Sequence, residues 1–415
     1  MAEPSASSAS LPTAERIPVL DIVRGFALLG ILIMNMPGFG ASFFAEADGS
    51  FLWTHPVDRA AENIREALFS GKFNSMFSLL FGIGFTIQYG RLQQRDPQRA
   101  TLTYLRRLLA LLAIGLVHAC IFWTGDVLHL YALLGLLLVF PLRNAQPRTL
   151  LLLMGLCLLY PLISGTLRLA VMSPEIVTML VKKAQAFEAS NNAAYGHGSF
   201  AAAAWEHMRE FADGYSNLWY LWGNLGFYVQ MALTMLLGLL AGRLQWPQRM
   251  PELMPWVRRL QPGLLAVGIA CGVLFTAIFE LNRAPGPSPI KLLGGIAYWV
   301  SRLAMTLFYV LSIVRLSQHP VWGPRLALMA APGRMPLTNY LLQTLICTTL
   351  FYGWGFGLWG KVGPAAGLAL SFFIFFAVQL PLSRWWLRQH SQGPMEALWS
   401  RLTYGRPAAM AVRTS

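Results

Sequence analysis

Two histidines and one aspartate lie close together in the sequence and could carry out acid–base chemistry. His118 is near the end of one apolar run, Asp126 follows a short turn, and His129 begins the next apolar run. A carboxylate beside an imidazole orients the ring and raises its basicity, as a general base requires. The alternative is that Asp126 caps a helix and both histidines are hydrogen-bonded core residues, which the spacing alone favours. No recognisable metal-ligand spacing is present, so no metal site is predicted.

Charged residues near the ends of apolar runs form a second candidate group. Arg107 precedes His118 by eleven residues, which places the two within about 20° on a helical wheel. Asp21, Arg24 and Asn35 likewise share one face of the first apolar run. A polar stripe of this kind suits the wall of a cavity. Asp21 and Arg24 could equally form a structural ion pair near the membrane surface.

Further polar residues lie inside apolar runs, where charges are costly and usually face the interior of a helix bundle. Arg302 lies in the middle of such a run, so it needs an anion or a cluster of acceptors. Asn339 and Gln343 are four residues apart and therefore share a helix face. Amides in such positions are more often interhelical hydrogen bonds than ligand contacts. The other polar residues predicted to be buried are Lys72, Asn74, Asn224 and Gln230. The candidates for substrate binding are His129, Lys72, Asn74, Asn224, Arg302, Asn339 and Gln343.

Membrane helices must position these residues, because 55% of the 415 residues are hydrophobic and only 12% are charged. Soluble proteins carry roughly a quarter charged residues. A spanning helix needs about 20 apolar residues, and no alternating barrel pattern is present. We therefore predict an all-α polytopic membrane protein. About ten spanning segments are expected, at Ile17–Met36, Phe73–Tyr89, Leu105–Phe122, Val127–Leu142, Leu150–Val171, Leu218–Leu240, Leu260–Leu281, Leu292–Leu311, Leu337–Leu358 and Gly363–Trp386.

The distribution of positive charge predicts the topology. The formal net charge is +14, and the arginines cluster in alternate short loops between apolar runs. This pattern indicates cytoplasmic loops of an inner-membrane protein rather than a nucleic-acid-binding surface. Both termini are then cytoplasmic, and the long loops 37–71 and 172–216 are periplasmic, where they can form short helices or a lid. Residues 17–406 form one membrane domain between a disordered tail, 1–16, and a C-terminal tail, 407–415.

The order of several short motifs resembles the YeiB-like family, also known as domain of unknown function 418. In combination these motifs are highly specific, and they span nearly the whole chain: Arg16–Asn35, Lys72–Phe85, Gly115–His118, Gly125–Tyr131, Gly333–Tyr340, Phe351–Gly353, Gly393–Glu396 and Leu402–Arg406. The first helix, with Arg24, Gly25 and Asn35, is also similar to that of transmembrane acyltransferases such as heparan-α-glucosaminide N-acetyltransferase. Those enzymes take an acyl group from a cytoplasmic thioester and deliver it to an acceptor on the far side.

The second resemblance implies a donor site and a catalytic site. Arg24, Arg107 and Arg334 would hold the phosphates of acyl-CoA, which would be a co-substrate rather than a permanently bound cofactor. Asn35 would donate a hydrogen bond to the thioester carbonyl as negative charge develops on its oxygen.

The same resemblance gives roles to the histidines. His118, oriented by Asp126, would deprotonate the acceptor hydroxyl or amine. In the heparan enzyme a catalytic histidine follows the first-helix asparagine in the luminal loop. The first histidine after that asparagine here is His55, which is the reserve candidate.

Two other functions remain open at this point. Buried polar residues would equally serve a transporter or flippase of a small anion or a lipid-linked sugar. A non-enzymatic envelope sensor would instead use its two long loops. The expected partners are the lipid bilayer and a small-molecule, glycan or lipid acceptor, and the oligomeric state is open.

Overall fold

The computed structural model describes residues 17–405, so the predicted tails 1–16 and 407–415 lie outside the described residues. The described part is helical and contains no β-strand. Its helices are, in chain order, α1 (Pro18–Gly40), α2 (Pro56–Leu68), α3 (Lys72–Arg95), α4 (Pro97–Phe122), α5 (Leu128–Val139), α6 (Pro147–Val171), α7 (Pro174–Gly196), α8 (Phe200–Ser216), α9 (Leu218–Arg243), α10 (Met250–Leu281), α11 (Pro289–Ser317), α12 (Trp322–Leu326), α13 (Ala330–Gly333), α14 (Pro336–Phe351), α15 (Pro364–Gln389) and α16 (Pro394–Tyr404).

Within residues 17–405, seven helices are long and apolar enough to cross a membrane: α1, α4, α6, α9, α10, α11 and α15. The chain is therefore a membrane protein with an all-helical fold. The other three predicted segments are also helical, but they differ in kind. The 24-residue α3 is long enough but less apolar, whereas α5 and the 16-residue α14 are shorter than the seven long apolar helices.

The first helix, α1, lies at the centre of the fold. It starts at a proline, which suits the first helical turn, and its apolar residues are buried on nearly every face. It packs against α3, α13, α14 and α15. It also continues to Gly40, four residues beyond the predicted end at Met36. The central position explains why polar residues on this helix face the interior.

Each predicted long loop contains helices. Residues 41–71 include α2, and residues 172–216 form the hairpin of α7 and α8. Helix α8 packs on the last turn of α4 and on α9, so it covers the end of the bundle that carries His118.

Candidate active site

Asp126 joins the two histidines in the buried turn between α4 and α5. Its Oδ1 lies 2.8 Å from His118 Nδ1, and its Oδ2 lies 2.7 Å from His129 Nδ1. The main-chain N–H of His129 also donates to Oδ2, at 2.9 Å. All three side chains are buried, with at most 5% of each exposed. Asp126 therefore contacts His118 as the general-base prediction requires, and it also accepts from the main-chain N–H at the start of α5, as the capping alternative predicts.

Hydroxyl groups from other helices lie within hydrogen-bond distance of Nε2 in both histidine rings. His118 Nε2 lies 2.9 Å from Thr344 Oγ1 on α14, and His129 Nε2 lies 2.6 Å from the Tyr215 hydroxyl on α8. An ionised Asp126 accepts from both Nδ1 atoms, so each Nε2 then carries the lone pair of a neutral imidazole. His118 in this tautomer can take up a proton at Nε2.

Two local features bring the histidines together. The last turn of α4, His118–Phe122, is a π-helical turn, a feature that often marks functional sites. One turn earlier, Gly115 allows α4 and α5 to approach closely, since a Cβ there would lie 2.3 Å from the main-chain nitrogen of His129. A side chain at position 115 would separate the two helices and, with them, the rings.

Helix α8 closes the site from outside. Phe211 packs against the His129 ring with 5.2 Å between centroids, and Thr124 Oγ1 donates to Glu210 Oε2 at 2.8 Å. Burial raises the pKa of Glu210 to about 7. The contact between Thr124 and Glu210 fixes α8 on the turn that carries Asp126.

A cavity of about 460 Å³ opens among the N-terminal ends of α1, α4 and α14 and the C-terminal end of α3. This volume is within the range of small-molecule sites. All three arginines predicted to bind a phosphorylated ligand line it: Arg24, Arg107 and Arg334. Arg91 adds a fourth guanidinium, and the carboxylates in the lining are Asp21 and Glu396. The end of the cavity that carries Arg24, Arg91, Arg107 and Arg334 is here called the arginine mouth. It has an excess of positive charge.

The arginines at the mouth are held in different ways. Arg24 forms the predicted ion pair with Asp21, at 2.7 Å. The Arg107 guanidinium lies 3.5 Å from the centre of the Trp399 ring, and it forms no salt bridge with any described residue. Arg334 donates to the main-chain carbonyl of Ser391. The direct partner of Arg107 is therefore an aromatic ring and not a carboxylate of the described residues.

Paired glycines place two of these arginines side by side. A Cβ at Gly25 would lie 2.0 Å from the Met329 carbonyl oxygen, and one at Gly333 would lie 1.8 Å from the Asp21 carbonyl oxygen. The backbones of α1 and α13 therefore touch directly. Arg24 and Arg334, each next to one of these glycines, meet at the mouth as a result.

The inner end of the cavity is apolar and approaches the histidine site. It is lined by leucines and phenylalanines of α3 and α4, and then by Val127, Tyr131 and Tyr340. The Tyr340 hydroxyl accepts a hydrogen bond from the Val127 N–H, and its ring centroid lies 5.3 Å from that of His118. His118 is not in the lining itself. Tyr340 connects the two, since it lines the cavity and packs against the His118 ring.

Two predicted catalytic residues lie elsewhere. Asn35 is half-buried and lines neither this cavity nor the second cavity described below. The carbonyl of Gly38, one turn later on α1, accepts from the Trp123 indole, so Asn35 lies at about the level of the His118 turn. His55 is exposed and caps α2 through its Nδ1, which accepts from the Val57 N–H.

The predicted polar contacts inside the bundle fall into three groups. Lys72, Asn74 and Arg302 are buried together with Gln230. Asn224 is exposed on α9, so the prediction that it is buried is wrong, because this part of α9 lies at the periphery of the bundle.

Asn339 and Gln343 form the third group and share a face, as their spacing predicts. Both meet Gln379 of α15, and Gln343 also donates to the carbonyl of Leu28 on α1. Because their hydrogen bonds join α14 to α1 and α15, these amides are interhelical contacts in this structure.

A second cavity, of about 270 Å³, lies at the opposite end of α1. Its lining includes the end of α1, the start of α15 and polar side chains of α2 and the preceding loop, among them Glu46, Arg59, Glu62 and Arg65. The two cavities line different faces of α1 and do not share a described residue.

Four site residues escaped the sequence reasoning: Tyr340, Thr344, Glu210 and Tyr215. Tyr340 belongs to a quoted family motif, which is the signal that could have identified it, whereas Thr344 lies one helical turn beyond the motif and carries no signal of its own. Glu210 and Tyr215 lie in a predicted loop, where polar residues are common and carry no signal of their own.

Comparisons with known proteins give one sequence family. Residues 241–406 match the family described as "Protein of unknown function (DUF418)". "Uncharacterized protein YxaH" of Bacillus subtilis (strain 168) is 32% identical over 416 residues, covering 94% of this chain and 95% of the relative. "Uncharacterized protein YeiB" of Escherichia coli (strain K12) is 30% identical over 419 residues, covering 97% and 100%. No solved structure matches.

Proposed function

The chain belongs to the DUF418 family of YeiB-like proteins, and from this premise we propose that it is a transmembrane acyltransferase using acyl-CoA. One observation carries the proposal: the three arginines, predicted from separate parts of the sequence, line one cavity that ends beside His118. The positively charged mouth of the cavity suits the phosphates of acyl-CoA. The apolar inner end suits the end of the molecule that carries the thioester.

The proposed reaction is acyl transfer with His118 as general base. His118 Nε2 takes the proton from the acceptor hydroxyl or amine as that group attacks the thioester carbonyl. The new C–O or C–N bond forms, the C–S bond breaks, and the coenzyme A thiolate leaves and receives the proton. Asp126 stabilises the imidazolium that forms between these steps. Asn35 remains the proposed oxyanion donor.

This reaction requires the thioester to pass Tyr340. Tyr340 lines the cavity and packs against the His118 ring, so we propose that its ring turns aside when the donor binds. The acceptor would enter from the end of the bundle covered by α8. We propose that this end faces the periplasm and that the arginine mouth faces the cytoplasm of a cell with this protein in its inner membrane.

Topology is tested by reporter fusions. We propose that α3, α5 and α14 cross the membrane with the seven long apolar helices, which gives ten spans and cytoplasmic termini. A reporter fused after Tyr195 should then be periplasmic, and one fused after Gln248 should be cytoplasmic, because α9 lies between them. Two fusions that report the same side would rule out this arrangement.

Donor binding is tested at Arg107. Acyl-CoA at millimolar concentration should stabilise the purified wild-type protein against thermal unfolding. Arg107→Gln should weaken coenzyme A binding by roughly 1.5–3 kcal/mol, about one to two orders of magnitude in Kd, because a charged hydrogen bond is lost. Isothermal titration calorimetry in detergent measures this difference.

A matched control is Arg315→Gln. Arg315 is also at a helix end and donates to Gln261 Oε1 at 2.8 Å, but it does not line the cavity. Its replacement should leave coenzyme A affinity unchanged. Equal affinities of wild type and a well-folded Arg107→Gln protein would remove Arg107 from the donor site.

Transport is the second candidate function, and the two cavities at opposite ends of α1 favour it. A transporter that alternates between two open states needs a site reachable from each side. Acyl-CoA stabilisation separates the two functions, since a transporter of another solute has no reason to bind coenzyme A. An envelope sensor would tolerate loss of His118 but not of α7 and α8.

A further inference from the structure

Arg302, in the middle of α11, has an unusual hydrogen-bonding environment. Its side chain is buried, with 2% of the residue exposed, and neither Nε nor Nη2 has a hydrogen-bond partner among the described residues. These two nitrogens lie on the same edge of the guanidinium. That edge presents two parallel N–H groups, the geometry that matches the two oxygens of a carboxylate.

A second buried cation lies nearby. Lys72 is fully buried, and its Nζ donates to the main-chain carbonyl of Glu66 at 2.9 Å. Tyr298 links the two cations, since its ring centre lies 5.6 Å from Lys72 Nζ and 5.1 Å from Arg302 Cζ. The carboxylate of Glu66 is paired with Arg65. Neither Lys72 nor Arg302 has a carboxylate partner within residues 17–405, although buried cations normally require one.

The N-terminus of α3 adds positive potential at the same place. Its N-cap, Gly71, has φ of +73°, and no side chain caps the helix. A Cβ at this position would lie 2.2 Å from Arg302 Nε, so glycine provides both the left-handed conformation and the room for the guanidinium. A cation at a helix N-terminus is unfavourable, whereas an anion there is favourable.

Two buried amides complete the layer. Asn74 Oδ1 and both polar side-chain atoms of Gln230 lack partners in the described structure. Close contacts pair Gly82 with Gly238 and Thr86 with Gly242, a constant separation of 156 residues that also relates Asn74 to Gln230. Helices α3 and α9 are thus parallel, and the two amides lie at the same level. Phe227, one turn before Gln230, lies 5.6 Å from Arg302 Cζ.

We propose that Arg302, Lys72 and Gln230, which together with Asn74 are here called the Arg302 layer, bind a small carboxylate inside the bundle, with Gln230 Nε2 as the free amide donor. The anion would receive two hydrogen bonds from the free edge of Arg302, with Lys72 as the second cation. Arg302 lines neither of the two cavities, so the ligand would lie among the residues of the layer itself. This site is separate from the arginine mouth, and the inference does not depend on acyl transfer.

Sodium acetate is the probe. The thermal unfolding temperature of the full-length protein in detergent should rise with acetate and saturate, and sodium chloride at equal ionic strength should not reproduce the rise. Arg302→Met should abolish the acetate dependence. Without acetate, it should unfold at the same temperature as wild type or higher, because the substitution removes an uncompensated buried charge.

Two further variants make the result decisive. Arg315→Gln, in the same helix but outside the layer, should keep the full acetate response. Gly71→Ala should lose it, because the added methyl group occupies the position of the guanidinium edge; this variant serves if Arg302→Met does not fold. An acetate response that survives in Arg302→Met or in Gly71→Ala, or an equal response to chloride, would overturn the proposal.

Discussion

Replacing His118 with alanine is expected to abolish acyl transfer from acyl-CoA, with a loss of about 10²–10⁴ in rate per folded molecule. The reason is that Asp126 holds the ring in the tautomer with a lone pair on Nε2, and Tyr340, which lines the cavity, packs against this ring. Release of coenzyme A thiol, measured on purified protein and corrected for the folded fraction, gives this rate.

The alanine variant will also be less stable, so the measurement needs a matched control. His118 makes two buried hydrogen bonds, and leaving their partners unsatisfied costs about 1–3 kcal/mol each. His207→Ala is the control, because His207 is equally buried and bonds to Tyr195 at 2.9 Å but does not touch Asp126. It should lose stability and keep its activity. A fully active His118→Ala protein would refute the mechanism and leave His55 as the candidate base.

The helices could be predicted from the sequence, but the number of spans could not be settled in the same way. All ten predicted segments contain a helix, since apolar runs of this length have few alternatives in a membrane. Helix α3 is less apolar because it carries Lys72, Asn74 and two serines, which its burial among α1, α4, α9 and α11 allows. Hydropathy reports contact with lipid, so it does not decide whether a helix surrounded by protein, such as α3, crosses the membrane.

The candidate site could be predicted only where its residues are close in sequence. His118, Asp126 and His129 lie in one helical hairpin, so their contact follows from a short turn. Thr344 and Tyr215 reach the same site from helices that are 226 and 86 residues away in the chain. Nothing local distinguishes these hydroxyls from those of Thr348 or Thr349, which bond to carbonyls of their own helix.

The three arginines suggested for phosphate binding could be named from the sequence without their geometry. Arg24, Arg107 and Arg334 are predicted to hold the phosphates, and all three line one cavity. Their convergence depends on backbone contact between Gly25 and Met329 and between Gly333 and Asp21, which joins α1 to α13 across about 300 residues of sequence. Packing between distant glycines has no periodic signature, so the cavity could not be derived from the chain alone.

Asp126→Asn is the second substitution expected to have a large effect. The hydrogen bonds of the two Asp126 oxygens give the reason. Oδ2 accepts from both the main-chain N–H and the Nδ1–H of His129, whereas Oδ1 accepts only from His118. The main-chain N–H can only donate a hydrogen bond, so the asparagine oxygen must take the Oδ2 position. The amide nitrogen then faces His118 Nδ1 and donates to it.

His118 must consequently adopt the opposite tautomer, with its proton on Nε2, where it can no longer act as a base. In the serine protease triad used as a general template, the equivalent change costs about 10⁴ in kcat. We expect a loss of 10²–10⁴ in coenzyme A release with a folded protein, and ¹⁵N chemical shifts of the His118 ring should report protonated Nε2. If Asp126 only supports packing, Asp126→Asn should retain both wild-type activity per folded molecule and the wild-type tautomer, because the asparagine is nearly isosteric with aspartate.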